Sequence, residues 1–476
     1  MYANKINKEN ELLKIADGLD GMGKKPQAIA YYQKALDENK NSIPALSNLS
    51  ILCYETNDLK SASKWSNRIL KIDAENPTAL VNLGNIAYLK KDFPKAIGYY
   101  EKAGSAKKDY LIAEINLANT YLEIKDYKNA VLHAKKTIKI NHKNFLAHTI
   151  LGNSFLELEC FKDAIPAFKS ALKLNPNDAW IYNSLSRAYQ GVEDWNNALK
   201  CGWYAVITNR TQDDSQHINF GYLLYECFLE KGDSKVKKYA DKWLDFFPDN
   251  EIVKHNVGAI LHQPKNTKAP QEYVKNIFNV FSYDFDNVLK NLDYQAPDLI
   301  NNFLKETYAS KKQKLAILDV GCGTGLCGSL LAKYADAKKL DGVDISEKML
   351  EVAKAKKIYS NLICDDLENY LKTSKKNYDL ISAADVFTYF GDLKNVFAGA
   401  CRVLKKNGRI IFTITENIES NDGFFLHASG RFLHTPEYIK TVLRDNGFSP
   451  DNIKKSKLRT EGGSAVMGYI VSAIKV

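Results

Sequence analysis

Three glycines, Gly321, Gly323 and Gly325, follow an apolar run in ILDVGCGTG (317–325), and acidic residues recur where later strands would end: Asp344, Asp365 with Asp366, and Asp385. Alternating glycines let a backbone approach a flat ligand closely, because no Cβ stands in the way. The spacing Gly323-x-Gly325-x-x-Gly328, with Asp344 about 20 residues on, formally meets the dinucleotide-binding pattern. The carboxylates separate the candidate ligands. Asp319, two residues before the first glycine, would repel a pyrophosphate, but it can serve a cationic amino group directly or through water. A carboxylate in Cys364-Asp365-Asp366 can accept from an exocyclic adenine amine, and Asp385 stands where the reacting end of such a ligand would point. Ligands of open α/β sheets bind at the carboxyl ends of strands. Acidic residues at all four ends therefore suit a nucleoside that carries a sulfonium and no phosphate.

A sulfonium is a good leaving group, so the protein has to supply orientation and at times a base. Candidates on the acceptor side are Asp385 and Tyr389 after the fourth strand, and His427, Arg431 and His434 in GFFLHASGRFLHTPEY. A histidine near neutral pKa can take the proton of a hydroxyl or amine. Arg431 can clamp a carboxylate or phosphate. Arg459 and Glu461 have the bland reading of a mutual ion pair, and Tyr283 and Tyr294 either roof the ligand or fold two cap helices onto the sheet.

The elements that must position these residues alternate. Strand patterns at 315–321, 339–345, 362–366, 378–385 and 409–415 are separated by helical patterns at 326–335 and 346–357, the second capped by Ser346, and the turn KKNG enters the last strand. Such alternation predicts a mostly parallel sheet with helices on both faces.

Segment 315–416 resembles a class I S-adenosylmethionine-dependent methyltransferase. ILDVGCGTG resembles its glycine motif, LDGVDIS its ribose motif, CDDLENYL its adenine motif, YDLISAADVFTYFGDL its fourth motif, and RVLKKNGRIIFTI the later strand. The resemblance implies a Rossmann-like, mostly parallel seven-stranded sheet with S-adenosylmethionine as cofactor and S-adenosylhomocysteine as product. It implies that Gly321, Gly323 and Gly325 admit the cofactor and that Asp344 binds the ribose, with Ile345 beside it. Asp366 with Leu367 would frame the adenine, either Asp365 or Asp366 holding its amine, and Met349 would pack on the adenine or lie in the core. The fourth motif has no NPPY or DPPY and the chain has no paired-glutamate loop, which disfavours nucleobase and arginine acceptors. YDFDNVLKNLDYQAPDLI and GFFLHASGRFLHTPEYIKTVLRDNGF resemble flanking segments of bacterial methyltransferases with tetratricopeptide (TPR) repeats.

The first half of the chain repeats. Alanine falls at 28, 62, 96, 130, 164 and 198, every interval being 34. Leu49, Leu83, Leu117, Leu151 and Leu185 keep the same register, each followed by a small residue. A period of 34 with this small–apolar code is the TPR helix–turn–helix unit, which stacks into an all-α solenoid. Asn48, Asn82 and Asn116, with Asn85, Asn119 and Asn153, share a helix face and resemble the asparagine ladder of O-linked N-acetylglucosamine transferases. Such a groove suits a peptide, whereas a purely structural or dimerising array is the plainer alternative. The helical segments 220–233 and 234–247 read as a degenerate capping pair. QPKNTKAP (263–270) reads as a linker, which divides the chain into an array at 1–263 and a methyltransferase domain at 264–476 with its own N-terminal cap helices.

Of the 476 residues, 45% are hydrophobic and 26% charged, as in ordinary soluble domains. The start MYANKINKENELLK lacks the apolar core of a signal peptide, and no run has the length of a membrane span. Eight scattered cysteines without a CxxC pair or zinc spacing suit a reduced cytoplasmic compartment and no metal site. The net charge of +10 is dispersed and mostly lysine, without an arginine-rich arm or an RNP-type run, so no nucleic-acid partner is expected. The leading expectation is a methyltransferase whose array recruits a protein or peptide. The alternatives are a small-molecule methyltransferase whose array serves docking or homodimerisation, and a non-catalytic scaffold.

Overall fold

The computed structural model describes residues 2–209, 214–262, 266–282, 284–308, 314–461 and 463–476. Tyr283 and the first three linker residues, 263–265, lie outside the described residues. By compactness the chain forms two units, Met1–Asn209 and Arg210–Val476. The division expected at 263/264 does not coincide with this one: the helices Ser215–Lys231 and Asp233–Phe246, expected to cap the array, fall within the second unit.

Among the described residues of the first unit, twelve helices form six pairs, and the second helices of the pairs begin at Lys25, Leu59, Phe93, Tyr127, Phe161 and Trp195. The lead alanines at 28, 62, 96, 130, 164 and 198 are all 0% exposed, which explains why that position stays small. A Cβ on Gly84 would meet Tyr100 at 2.4 Å, and one on Gly152 would meet Phe168 at 2.6 Å, so these glycines admit the ring of the partner helix. Asp58, Asp92, Asp126 and Asp194 cap the second helices by accepting from backbone amides three residues on. The ladder amides bond between repeats. Asn116 donates to Asn85 Oδ1 at 2.9 Å, Asn82 to Ser50 Oγ at 3.2 Å, and Asn119 to Tyr88 Oη at 3.1 Å. Asn48 donates to Tyr32 Oη at 3.0 Å and to Asp17 at 3.1 Å.

The second unit is built on a seven-stranded sheet. Its strands are β1 (Leu315–Val320), β2 (Ala335–Asp344), β3 (Asn361–Cys364), β4 (Tyr378–Ala383), β5 (Leu404–Thr415), β8 (Phe448–Glu461) and β9 (Ser464–Lys475), while β6 (Phe424–Leu426) and β7 (Phe432–His434) form a separate hairpin. The order is β3-β2-β1-β4-β5-β9-β8; the first five strands run parallel, and β9 is antiparallel to both β5 and β8. All six residues of β1 are buried, as expected of a strand covered on both faces. The strand at 409–415 starts earlier than its sequence pattern: β5 runs through KKNG from Leu404, with Asn407 absorbing the irregularity at φ 61°.

Helices before the sheet cover its carboxyl end. Ile218, Ile252, Ala269, Tyr273 and Ile277 form one apolar cluster, against which Tyr389 packs. Ala259 packs with Leu426 and Phe432 of the hairpin, and His255 Nε2 lies 2.9 Å from the Gly430 carbonyl. Among the described residues no helix is long and apolar enough to cross a membrane.

Candidate active site

One cavity opens beyond the carboxyl ends of β1 to β4. Its lining includes Gly321, Gly323, Asp344, Ile345, Asp365, Asp366, Leu367, Asp385, Tyr389 and Arg431. Strand order places these residues along a line. Asp366 follows β3, Asp344 ends β2, the glycines follow β1, and Asp385 follows β4 on the far side.

The glycine turn is left-handed at Gly321 (φ 58°), Gly323 (φ 53°) and Gly325 (φ 86°), a conformation that other residues adopt only with strain. At Gly321 a Cβ would also strike Val386 at 2.4 Å. Gly325 does not line the cavity; it precedes the helix Leu326–Leu331. Asp344 holds the turn, its Oδ2 accepting from Gly323 N at 2.9 Å and its Oδ1 from Ser346 N at 2.8 Å. Burial raises its pKa against these amides.

Asp365 and Asp366 both line the cavity, with different duties. Asp366 Oδ1 caps the helix Leu367–Thr373 by accepting from Glu368 N and Asn369 N, while its Oδ2 pairs with Lys268 Nζ at 2.9 Å. Asp365 accepts from Asp366 N at 2.8 Å and from the Asn369 amide at 2.9 Å.

Asp319 differs from expectation. It is 1% exposed and absent from the cavity lining, and its Oδ2 accepts from Tyr359 Oη at 2.6 Å beneath the glycine turn. Burial, opposed by that hydrogen bond and aided by Asp344, lifts its pKa to about 7. Tyr359 fits there because position 328 is glycine: a Cβ would lie 2.0 Å from its hydroxyl. Met349 takes the core alternative, with 0% exposure and no place in the lining.

On the acceptor side the two histidines stand off the cavity. His434 is 0% exposed in β7, its Nε2 is 3.2 Å from the Gly391 carbonyl, and burial lowers its pKa to about 4. His427 shapes the hairpin turn, its Nδ1 2.9 Å from Ser429 Oγ. Neither lines the cavity, and the aromatic packing of the hairpin holds them there. Asp385, Tyr389 and Arg431 do line it. Asp385 sits at φ 59°, with its N donating to Thr413 Oγ1 at 2.9 Å. Burial raises the Tyr389 pKa in the face of Arg431 and Arg459. Arg431 Nη1 donates to Glu461 Oε1 at 2.6 Å.

The pair expected between Arg459 and Glu461 exists at 2.7 Å, but Arg459 also donates to Asp385 Oδ2 at 2.9 Å and lines the cavity. Lys268, Phe278, Phe285, Leu292 and Tyr294 line it as well, from segments before the sheet. Tyr294, one of two tyrosines the sequence offered as a roof, is in the lining; Phe278, Phe285 and Leu292 left only a helical periodicity, and nothing local marks Lys268 or ties Arg459 to Asp385.

Residues 317–408 match the family model of a methyltransferase domain, and residues 22–84 that of a tetratricopeptide repeat. A malonyl-[acyl-carrier protein] O-methyltransferase of Priestia megaterium is 30% identical over 149 residues, 31% of this chain and 53% of its own length. One from Acetivibrio thermocellus is 27% identical over 41% of this chain and 77% of its own length. The chain thus spans about half the length of the first of these relatives. A magnesium protoporphyrin IX methyltransferase of Synechocystis PCC 6803, solved with bound SAM, is 19% identical, with a TM-score of 0.34 over 43% of this chain and 97% of that one.

Proposed function

We propose that this chain, which carries a methyltransferase domain together with tetratricopeptide repeats, transfers a methyl group from S-adenosylmethionine to an oxygen acceptor and releases S-adenosylhomocysteine. The observation that carries this reading is the cavity lined at once by the Gly321–Gly323 backbone and by Asp344, Asp365, Asp366 and Asp385. A pyrophosphate would lie among these carboxylates, whereas a nucleoside with a cationic sulfur and ammonium matches them. The bound cofactor would supply an electrophilic methyl group. Asp344 would accept from the ribose hydroxyls, Asp365 or Asp366 from the adenine amine, with Ile345 and Leu367 against the ring. The turn at Gly321 and Gly323 would take the amino-acid end, and Asp385 and Tyr389 would face the acceptor. Tyr294 and Phe285 would exclude water from the reacting centre.

Oxygen as the acceptor atom is supported by the names of the Priestia and Acetivibrio relatives. For the array we propose recruitment of a protein or peptide that is, or carries, the acceptor. A small-molecule acceptor with the array used for docking is the second reading, favoured by the apolar lining from Leu289, Leu292 and Pro297. Eight unpaired cysteines suit a reducing compartment such as the cytoplasm. Calorimetry with S-adenosylmethionine and with NAD tests the cofactor: binding of the first and not the second is expected, and tighter binding of NAD would overturn the reading.

A further inference from the structure

Among the described residues, no group at the acceptor end of the cavity is placed to take a proton. His427 and His434 stand off the lining. Asp385 lines it, but its Oδ1 is buried beyond the reach of a ligand, and its Oδ2 accepts at 2.9 Å from Arg459, whose side chain is 4% exposed. A proton arriving on Oδ2 would strip that buried guanidinium of a partner, which is strongly unfavourable. Burial keeps the protons of Tyr294 and Tyr389 on their hydroxyls by raising both pKa values. It does the same for the thiols of Cys322 and Cys327. The other carboxylates of the lining, Asp344, Asp365 and Asp366, follow β2 and β3, across β1 from Asp385, and accept from backbone amides.

One guanidinium at this end is presented to a ligand. Arg431 lines the cavity with its side chain 31% exposed. Its Nη1 donates to Glu461 Oε1 at 2.6 Å, and the guanidinium fork carries further N–H groups that can meet a second carboxylate. Arg431 and Arg459 face Asp385 and Glu461, so these four charges cancel. The ammonium and carboxylate of the proposed cofactor cancel each other as well. Its sulfonium then adds one positive charge that no side chain at this end offsets. Leu289, Leu292 and Pro297 supply apolar surface in the same cavity.

Resting on the methyl-transfer reading above, we infer that the acceptor is a carboxylate at the end of an apolar chain, received by Arg431, and that the product is its methyl ester. Such an oxygen arrives already deprotonated, so it needs no base, and its charge offsets that of the sulfonium. The carboxylate oxygen forms its bond to the methyl carbon with its own lone pair, the carbon–sulfur bond breaks, and the bonding pair stays on sulfur. No proton is released. Arg459 is a positioning residue that holds Asp385 beside the reacting centre.

The test is calorimetry on the full chain saturated either with S-adenosylhomocysteine or with sinefungin, the analogue whose amine-bearing carbon replaces the sulfur and restores the positive charge. Each complex is titrated with hexanoate and with 1-hexanol, the same chain with an anionic or a neutral head. In the sinefungin complex hexanoate should bind at least about tenfold more tightly than hexanol, and at least about fivefold more tightly than it binds the S-adenosylhomocysteine complex. Arg431→Gln should lose the preference for hexanoate over hexanol. Where that variant does not fold, the two wild-type comparisons decide by themselves. Hexanol binding as tightly as hexanoate, hexanoate binding both complexes equally, no hexanoate binding at millimolar concentration, or a folded Arg431→Gln that keeps the preference would each overturn the inference. Failure of S-adenosylhomocysteine to bind the wild type would overturn the methyl-transfer reading instead.

Discussion

Lys268 places its Nζ 2.9 Å from Asp366 Oδ2 and 2.7 Å from Glu368 Oε2, and so ties the segment before the sheet to the end of the cavity proposed to hold the adenine. The backbone on either side of Lys268 is fixed too: Ala269 N donates to the Tyr389 carbonyl at 2.9 Å, and Gly391 N to the Thr267 carbonyl at 2.7 Å. Replacing Lys268 with methionine keeps the stem and removes the tie. The ammonium end is partly exposed, so the expected loss is about 1 kcal/mol of cofactor binding, roughly fivefold in Kd. Lys268→Arg should retain most of it. Calorimetry showing Lys268→Met equal to wild type would detach the segment from cofactor binding.

Asp344 serves the glycine turn and the proposed ribose site together. Asp344→Ala removes an acceptor from Gly323 N and Ser346 N. Its expected cost in cofactor affinity is about 1.5–3 kcal/mol, the scale of a hydrogen bond to a charged group. The check is titration with S-adenosylhomocysteine, accompanied by a melting curve that shows the domain still folded.

His255 and His434 are buried, and burial lowers each pKa to about 4 from the ordinary 6.5. Above pH 6.5 neither state binds the proton, so the histidines add no pH dependence to stability there. Below it the unfolded chain takes up protons that the folded chain refuses, and stability falls as pH drops from about 6.5 towards 4, by about 3 kcal/mol per histidine on an order-of-magnitude basis. Asp319, its pKa lifted to about 7 by burial, works the other way over the acid range: stability falls as pH rises from the ordinary carboxylate value to about 7. Comparing wild type with His434→Gln cancels the Asp319 contribution. Urea midpoints measured from pH 7 to pH 4 should converge, and parallel curves would show that His434 takes up its proton in the folded state.

The two compact units lead to a prediction about fragments. A fragment of residues 210–476 should melt cooperatively and have the same affinity for S-adenosylmethionine, the proposed cofactor, as the whole chain. A fragment of residues 264–476 loses Ile218 and Ile252, which are 5% and 2% exposed in the whole chain, and uncovers Tyr273 and Phe432. Burying an isoleucine side chain contributes about 1.5–3 kcal/mol, so the shorter fragment should melt markedly lower. Equal melting temperatures and affinities for the two fragments would make the helices at 215–260 dispensable.

What sequence alone settled is what short-range pattern can carry. A repeat of 34 residues with buried alanines needs only neighbouring helices to be meaningful, and six in register specify the array. The strand–helix alternation and the glycine turn are likewise local, since left-handed backbone at Gly321, Gly323 and Gly325 is a property of the residues themselves. Tertiary packing decided the rest. Asp319, two residues before the first of those glycines, turned under the loop to Tyr359, 40 residues away. Of the two histidines suited by type to proton transfer, His434 was drawn into the hairpin core against Tyr438, while half-buried His427 was held in the hairpin turn by Ser429 and packed on Tyr225. Arg459 reached Asp385 across 74 residues of chain. Residue type states what a side chain can do, but burial and the partners brought from distant strands determine which of those chemistries it retains.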